Sequence, residues 1–245
     1  MKRRFFLLAM APLLLWTTAL VAKEAPAAAP LAENPAAVAN PGIHHADRFE
    51  EKAKIIAEGN IDLVLMGDSI THFWDSTGKA QQERFFGKYR RVNIGLGWNG
   101  TQHLLWELDH IKADSIAPKA IMLMIGTNNI GWLNQTPEQA IGGIEAVVAK
   151  TRALWPHAKI LLLGVFPRGA QPNDRFRPMI DQINASIEKL ADGKSVVYLN
   201  INDKFLTPEK VLPAEIMPDR LHPNDKGYEI WGQAVSPILD SWLAE

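Results

Sequence analysis

The chain has no cysteine among its 245 residues. This absence excludes disulfide bridges, thiolate metal sites and a cysteine nucleophile, and it excludes lipid attachment through an N-terminal cysteine. The formal net charge is only −1, so the chain lacks the basic field typical of nucleic-acid binding, and we expect no nucleic-acid partner. Tyrosine is scarce, with three residues against eight tryptophans. Most of the tryptophans are expected in the core, but exposed aromatic rings often line carbohydrate or lipid sites.

The first 22 residues have the features of an export signal. Basic residues at 2–4 precede an apolar run over 5–22, as in secretory signals. Cleavage fits after Ala19 or near Ala22 or Ala27. We expect an exported protein, periplasmic or secreted, with no stable membrane insertion after cleavage; an uncleaved anchor is the alternative.

A stretch rich in alanine and proline follows, over residues 23–41. Such a composition buries little surface and favours extended conformations, which predicts a linker. The globular domain is then expected over residues 42–245, a length that suits one domain.

Apolar runs alternate with amphipathic stretches along this domain. The runs predict five strands, over residues 61–66, 91–94, 120–125, 159–166 and 195–201. The amphipathic stretches predict helices over 45–58, 101–111, 136–154, 175–191 and 224–243. Continuous apolar strands are typical of sheets buried on both faces. We therefore predict a three-layer α/β/α sandwich around a parallel sheet of about five strands.

Polar motifs follow three of these strands, where sites form in such sheets. The segments lie at 67–71, 95–100 and 126–129, and a fourth motif at 219–223 precedes the last helix. Each is weak alone, because short Gly, Asp and Asn segments are usually turns or caps. Together and in this order, they are specific.

With these four blocks the chain resembles the GDSL or SGNH hydrolase superfamily, most closely its platelet-activating-factor acetylhydrolase-like branch. The resemblance covers residues 60–240 and implies the flavodoxin-like SGNH fold. It implies Ser69 as nucleophile and Asp219 and His222 as the other triad members. It also implies an oxyanion hole made by Ser69, Gly97 and Asn128, and a homodimer by analogy.

The chemistry expected of these residues also follows from their types. A serine hydroxyl needs a neighbouring base, and a histidine titrating near neutrality is suited to that work. Asp219 could hold the second ring nitrogen of His222 as a donor. Gly97, without a side chain, lets the backbone approach an oxyanion closely, although Gly95 or Gly100 could take that place.

The other candidates have less specific patterns. Trp74, Trp98 and Trp132 each follow a signature block and could form a substrate rim. His72 and His103 could line the cleft, and Asn129 and Asp68 are interpreted as structural. The pair at 44–45 is interpreted as solvated, so we expect no metal, and the chemistry requires no cofactor.

The hypothesis is a serine esterase that releases short acyl groups, acetyl foremost, from a small-molecule or glycan ester. A lysophospholipase or thioesterase, a polysaccharide O-acetyltransferase and a non-catalytic glycan-binding domain are the alternatives. The full set of five expected site residues argues against a binding module, which has no need of them all.

Overall fold

The computed structural model describes residues 34–42 and 44–244, which fold around one five-stranded sheet. Its strands are β1 (Leu63–Gly67), β2 (Arg91–Asn93), β3 (Ala120–Met124), β4 (Lys159–Leu163) and β5 (Val196–Leu199). They lie in the order β2-β1-β3-β4-β5, and every neighbouring pair is parallel. The predicted parallel sheet is confirmed, with strands a little shorter than the apolar runs.

Helices occupy the connections between the strands. The long ones are α1 (Ala46–Glu58), α3 (Lys79–Phe86), α4 (Thr101–His110), α6 (Pro137–Leu154), α7 (Phe176–Ile187) and α9 (Asp225–Leu243). Three single-turn helices are α2 (Ser69–His72), α5 (Thr127–Ile130) and α8 (Asn202–Phe205). The five predicted helices are α1, α4, α6, α7 and α9; the shorter α3 was not predicted.

Alternate residues of β1 pack into two separate cores, one on each face of the sheet. Val64 and Met66 lie with side chains of α1, α4, α6 and α7 in one core. Leu63 and Leu65 lie with side chains of α3 and α9 in the other. Because helices cover both faces of the sheet, residues on both sides of each strand are apolar and do not alternate with polar ones. The two helical layers and the sheet form the predicted three layers.

The start of α6 shows how local sequence fixes an element. Thr136 is the N-cap residue, and its hydroxyl accepts the Gln139 N–H at 3.2 Å. The Gln139 side chain accepts the Thr136 N–H in return at 2.9 Å. Pro137 occupies the first helical position, where no N–H is needed. This reciprocal cap confirms the predicted helix start.

The predicted linker differs from the structure at its C-terminal end. Residues 35–37 form a 3₁₀ turn against α4 and α6, and Ala36 is fully buried. The Asn34 side chain donates to the Gln139 carbonyl at 2.9 Å, and the Ala36 carbonyl accepts from Thr101 at 2.7 Å. Side-chain hydrogen bonds thus hold a segment whose composition alone suggests no contacts, and the folded part extends before residue 42.

The signal predicted over residues 1–22, and linker residues 23–33, lie outside the described residues. Among residues 34–42 and 44–244, no helix is long and apolar enough to cross a bilayer.

The strand order locates the edge at which a site can form. The chain crosses from β1 to β2 on one side and continues through β3 to β5 on the other. The connections that leave the carboxyl ends of β1 and β3 therefore diverge, which opens a crevice there. Ser69 follows β1, Gly97 follows β2 and Asn128 follows β3, so three of the predicted site residues meet at this edge.

Candidate active site

Ser69 is the first residue of α2, directly after the buried strand β1. Asp68 is the N-cap residue, and its Oδ1 accepts the Ile70 N–H at 3.0 Å, which confirms its expected structural role. A side chain at Gly67 would collide with the Met124 carbonyl of β3. The close approach of the two strands therefore requires glycine just before the turn that presents Ser69.

Asp68 is fully buried beneath this turn. Burial raises its pKa to about 7, against the opposing effects of the Ile70 N–H and the Arg168 guanidinium. Its Oδ2 has no hydrogen-bond partner in the described part of the chain. Asp68 therefore stabilises the turn through one oxygen only.

A continuous chain of hydrogen bonds joins Ser69 to His222 and Asp219. The Ser69 Oγ lies 2.8 Å from His222 Nε2, and His222 Nδ1 lies 2.6 Å from Asp219 Oδ2. A carboxylate can only accept, so Nδ1 carries the hydrogen and Nε2 is left to accept the hydroxyl proton. Ser69 and His222 are 153 positions apart in the sequence, and together with Asp219 they have the geometry of a serine triad.

Asp219 is held by the backbone of its own loop. Its Oδ1 accepts the N–H groups of Leu221 at 3.0 Å and His222 at 2.7 Å. Partial burial alone would raise the pKa of the carboxyl, but the His222 N–H and ring outweigh it and keep the pKa below its ordinary value. Arg220 has the left-handed backbone, φ 62°, that bends this short loop. Asp219 is thus an ionised acceptor with its orientation fixed at both oxygens.

Asn128 and Ser69 provide hydrogen-bond donors beside the hydroxyl. Asn128 Nδ2 donates one hydrogen to the Asn99 carbonyl at 2.9 Å, and the residue lines the same cavity as Ser69. The Ser69 N–H is the first amide of α2, which has no acceptor within its own helix. Both groups are therefore suited to stabilise a negative oxygen.

Gly97 lines the cavity too, but its N–H already has an acceptor. It donates to His72 Nδ1 at 3.3 Å, a long hydrogen bond. Burial, together with the nearby Arg48 and His45, lowers the pKa of His72 to about 4, so the ring is neutral and can accept. The oxyanion role of Gly97 stays a prediction, because its N–H would have to leave His72 for an incoming oxygen.

Asn129 serves the framework of the site, as expected. Its Nδ2 donates to the Thr101 hydroxyl at 2.8 Å and to the Gln135 side chain at 2.7 Å, and its Oδ1 accepts the Thr101 N–H at 3.2 Å. It is completely buried. Asn129 therefore ties the start of α4 to α5.

Ser69 and His222 open into a cavity of about 250 Å³. Besides Ser69, Gly97, Asn128 and His222, its walls are formed by His45, Phe73, Trp98 and Leu221. This volume is slightly below the range of about 300–1,000 Å³ that is usual for small-molecule sites. The cavity therefore has room for a small-molecule fragment directly beside Ser69.

Of the three tryptophans predicted at the rim, Trp98 lines the cavity and Trp132 lies against Trp98 at the surface. Trp98 is 54% exposed and Trp132 is 39% exposed, with ring centroids 6.2 Å apart. The Trp132 indole N–H donates to the Trp98 carbonyl at 2.9 Å. Trp98 has a left-handed backbone, φ 70°, which is unusual for a bulky residue. We call these two residues the tryptophan ledge.

The prediction for Trp74 is wrong. Its side chain is completely buried among Phe86, Tyr228 and Trp231, with ring centroids 4.7–5.3 Å away. Trp74 belongs to the core on the α9 face of the sheet and cannot touch a substrate. Although Trp74 is only five residues from Ser69 in the sequence, its side chain lies in the core and not in the cavity.

His44 and His45 are both exposed, as expected of a solvated pair, but they do not lie in a linker, because His45 is the N-cap residue of α1. His45 lines the cavity, and its Nε2 would lie 2.7 Å from a side-chain carbon added at Gly97. The ring of His44 lies 5.7 Å from that of Trp98. Sequence reasoning missed His45, Phe73 and Leu221, although Leu221 lies within the motif at 219–223 and Phe73 lies two residues after the motif at 67–71.

His72 and His103 lie near the cleft, as expected, but each is engaged by the backbone. His103 Nδ1 accepts the Gly100 N–H at 3.1 Å, and its ring stacks on Trp132 at 6.1 Å. Among residues 34–42 and 44–244, no group of three His, Asp or Glu side chains could hold a metal ion.

Comparison with protein families gives an independent result. A model of the GDSL-like lipase/acylhydrolase family matches residues 65–230. Subunit alpha1 of platelet-activating factor acetylhydrolase IB from Homo sapiens is 30% identical over 204 residues, which cover 83% of this chain and 84% of the human protein. Subunit alpha2 from Rattus norvegicus is 32% identical over 170 residues, which cover 68% of this chain and 71% of the rat protein.

Solved structures share the fold at lower identity. A GDSL-like lipase from Bacteroides thetaiotaomicron has a TM-score of 0.65 at 19% identity, covering 80% of this chain and 97% of its own. An acetylxylan esterase from Geobacillus stearothermophilus has a TM-score of 0.57 at 18% identity, covering 73% and 93%. The family match, the relatives and the parallel α/β fold agree, and the chain belongs to the GDSL-like lipase/acylhydrolase family of hydrolases.

Proposed function

We propose that this hydrolase releases short acyl groups, acetyl foremost, from esters of carbohydrates through an acyl-enzyme on Ser69. The observation that carries the proposal is the hydrogen-bonded chain Ser69–His222–Asp219 at the wall of a 250 Å³ cavity. The serine hydroxyl has a base beside it in His222, and the histidine ring has a carboxylate acceptor in Asp219.

The reaction has two matched halves. Ser69 Oγ attacks the ester carbonyl carbon while His222 Nε2 takes the hydroxyl proton. The carbon–oxygen bond to the alcohol then breaks, and the same proton passes to the departing oxygen. Water then attacks the carbonyl carbon of the acyl-enzyme while His222 takes a proton from it. The bond from that carbon to Ser69 Oγ breaks, His222 returns the proton to Ser69, and the carboxylic acid leaves. Asn128 Nδ2 and the Ser69 N–H stabilise the oxyanion of each tetrahedral intermediate.

Two observations support a short acyl group. The cavity beside Ser69 has little volume for a long chain. The names of two similar proteins also refer to acetyl groups, a platelet-activating factor acetylhydrolase subunit and an acetylxylan esterase.

The tryptophan ledge supports a carbohydrate as the alcohol. The C–H face of a sugar ring is apolar and slightly positive, and it complements the negative face of an indole. Trp98 both lines the cavity and is 54% exposed, so a sugar stacked there would have its ester close to Ser69. The structural likeness to an acetylxylan esterase agrees with this.

A lipid-type ester is the second candidate. It is favoured by the relatives, since platelet-activating factor acetylhydrolase subunits match over 83% of the chain. Acetyl transfer to a polysaccharide would use the same acyl-enzyme with a sugar hydroxyl in place of water. Export to the periplasm or beyond, and a homodimer, stay predictions.

The test is release of acetate from a chromogenic acetate ester by the full chain and by Ser69→Ala. We expect turnover to disappear while the melting temperature stays within a few degrees, since the hydroxyl is small. Ser76→Ala, at an exposed serine in the next turn, is the matched control and should retain full activity. A phosphonylating reagent should modify Ser69 alone, as peptide mass spectrometry would show. Equal turnover by wild type and Ser69→Ala would exclude the proposed function.

The substrate class is tested with acetylated xylo-oligosaccharides, an acetylated glycerophospholipid and a series of longer acyl esters. We expect the highest kcat/KM on the acetylated sugar. Preference for the phospholipid would establish the lipid-type candidate instead.

A further inference from the structure

Glu107 is a buried carboxyl that the reaction described above does not use. It lies on α4 with only 3% of its surface exposed, and it lines a cavity of about 200 Å³ together with Leu96 and Trp106. Its Oε1 accepts a hydrogen bond from Asn99 Nδ2, and its Oε2 has no partner in the described part of the chain. A buried carboxyl with one partner is costly compared with an apolar side chain, so the core alone gives no reason for it.

Asn99 connects this carboxyl to the oxyanion donor. Its side chain donates to Glu107, and its main-chain carbonyl accepts from Asn128 Nδ2 at 2.9 Å. Its own N–H makes only a long contact with the Leu96 carbonyl, at 3.4 Å. The hydrogen bond to Glu107 is therefore a principal restraint on the orientation of Asn99.

The geometry of an amide makes that orientation matter. The two hydrogens of Asn128 Nδ2 lie in one plane, about 120° apart, so a hydrogen fixed on the Asn99 carbonyl fixes the direction of the other. Asn128 lines the cavity with Ser69, so the second hydrogen is the one available to an oxyanion. A shift of the Asn99 carbonyl would turn it away.

We propose that Glu107 is a positioning residue that acts through Asn99 to aim the Asn128 amide at the oxyanion. The inference rests on the proposed function, since it needs Ser69 to generate that oxyanion. Glu107 itself touches no substrate in this arrangement: it holds Asn99, and Asn99 holds Asn128.

The charges around Glu107 are compatible with this role. Burial raises its pKa to about 8, while Asn99 and Arg48 of α1 act in the opposite direction. His44 and Glu50 line the same cavity of about 200 Å³ as Glu107. A carboxyl that is neutral at pH 7 still accepts from Asn99 through one oxygen, so glutamine at position 107 preserves the contact.

The experiment is a double-mutant cycle with steady-state kinetics on a chromogenic acetate ester. We expect Glu107→Leu to lower kcat by about tenfold to a hundredfold, the range typical of a misaligned catalytic group, with KM unchanged within twofold. Glu107→Gln should stay within about threefold of wild type, and Glu50→Gln, at an exposed carboxyl that lines the same cavity but does not contact Asn99, should match wild type.

The decisive comparison is made in the Asn128→Ala background. If Glu107 acts through Asn128, Glu107→Leu should then change kcat by less than about threefold. A loss as large as in the wild-type background would overturn the proposal, because it would mean that Glu107 only supports the fold.

Asn99→Ala tests the same relay if Glu107→Leu does not fold. This variant keeps the main-chain carbonyl but removes the group that Glu107 binds, so kcat should fall again with KM unchanged. Unchanged kcat would overturn the relay while leaving the Ser69 mechanism intact. Activity retained by Ser69→Ala would instead overturn the proposed function itself, so the two failures are distinguishable.

Discussion

Asp219 accepts two different hydrogens from His222, the main-chain N–H on Oδ1 at 2.7 Å and the ring Nδ1–H on Oδ2 at 2.6 Å. One carboxylate therefore fixes both the position of the histidine backbone and the tautomer of its ring. Because one oxygen binds the main chain and the other binds the ring, the proposed role of Asp219 in catalysis can be tested apart from its role in the loop.

We expect Asp219→Asn to lower kcat by about three to four orders of magnitude, because its amide favours the wrong histidine tautomer. Its remaining oxygen can still accept the main-chain N–H groups, so the melting temperature should change little. Asp219→Ala loses both contacts and should also destabilise the protein by about 1 kcal/mol. Kinetics and thermal denaturation of both variants give the comparison; equal activity of Asp219→Asn and wild type would contradict the triad.

The second prediction concerns Asn128. Removing one oxyanion donor typically raises the barrier by about 2.7–4 kcal/mol, so Asn128→Ala should lower kcat by about a hundredfold to a thousandfold. KM should change much less, because the interaction develops in the transition state. Asn173→Ala, at an exposed loop asparagine, is the control. A loss confined to KM would indicate a ground-state contact instead.

The third prediction concerns the tryptophan ledge. Trp98→Ala should raise KM for an acetylated xylo-oligosaccharide by about twofold to tenfold, since a stacked ring contributes about 0.5–1.5 kcal/mol, and should affect a small chromogenic acetate much less. Trp132→Phe keeps an aromatic face but removes the N–H that binds the Trp98 carbonyl. It therefore separates stacking from support of the strained Trp98 backbone. Equal effects of Trp98→Ala on both substrates would argue against a sugar site.

Much of this site could be predicted because a parallel sheet gathers distant segments at one edge. Ser69, Gly97 and Asn128 each follow an apolar run, and the carboxyl ends of such runs must lie together. His222 and Asp219 could be added because three residues suffice for one loop to present both. Strand ends and short spacings predict that these residues meet, whereas their individual roles are implied by the resemblance to the GDSL or SGNH superfamily.

Burial of single side chains could not be predicted in the same way. Trp74 and Trp98 both follow a signature block, yet residues distant in the sequence determine whether each is buried. Trp231 of α9 packs against Trp74, whereas Trp98 is exposed at the surface. His45 lines the cavity from the start of α1, opposite Gly97, a contact between distant segments that no local pattern encodes. Glu107 looks like an ordinary polar helix residue until Asn99 is known to face it.

The fourth prediction uses the pH dependence of stability at Glu107. In the unfolded chain Glu107 has its ordinary pKa of 4.5, whereas burial raises the pKa to about 8 in the folded protein. Between these values the folded state binds more protons than the unfolded state, so the contribution of Glu107 to stability falls as pH rises. Each pH unit corresponds to about 1.4 kcal/mol at most.

The measurement is urea denaturation of wild type and Glu107→Gln at several values from pH 5 to 8. Asp68, whose pKa is raised to about 7, and His72, whose pKa is lowered to about 4, titrate in both proteins, so their effects cancel in the difference. The free energy of unfolding of wild type minus that of Glu107→Gln should therefore decrease by a few kcal/mol across this range. A difference that stays constant would mean that Glu107 is already ionised in the folded protein at pH 5, as a carboxylate held by Asn99 and Arg48.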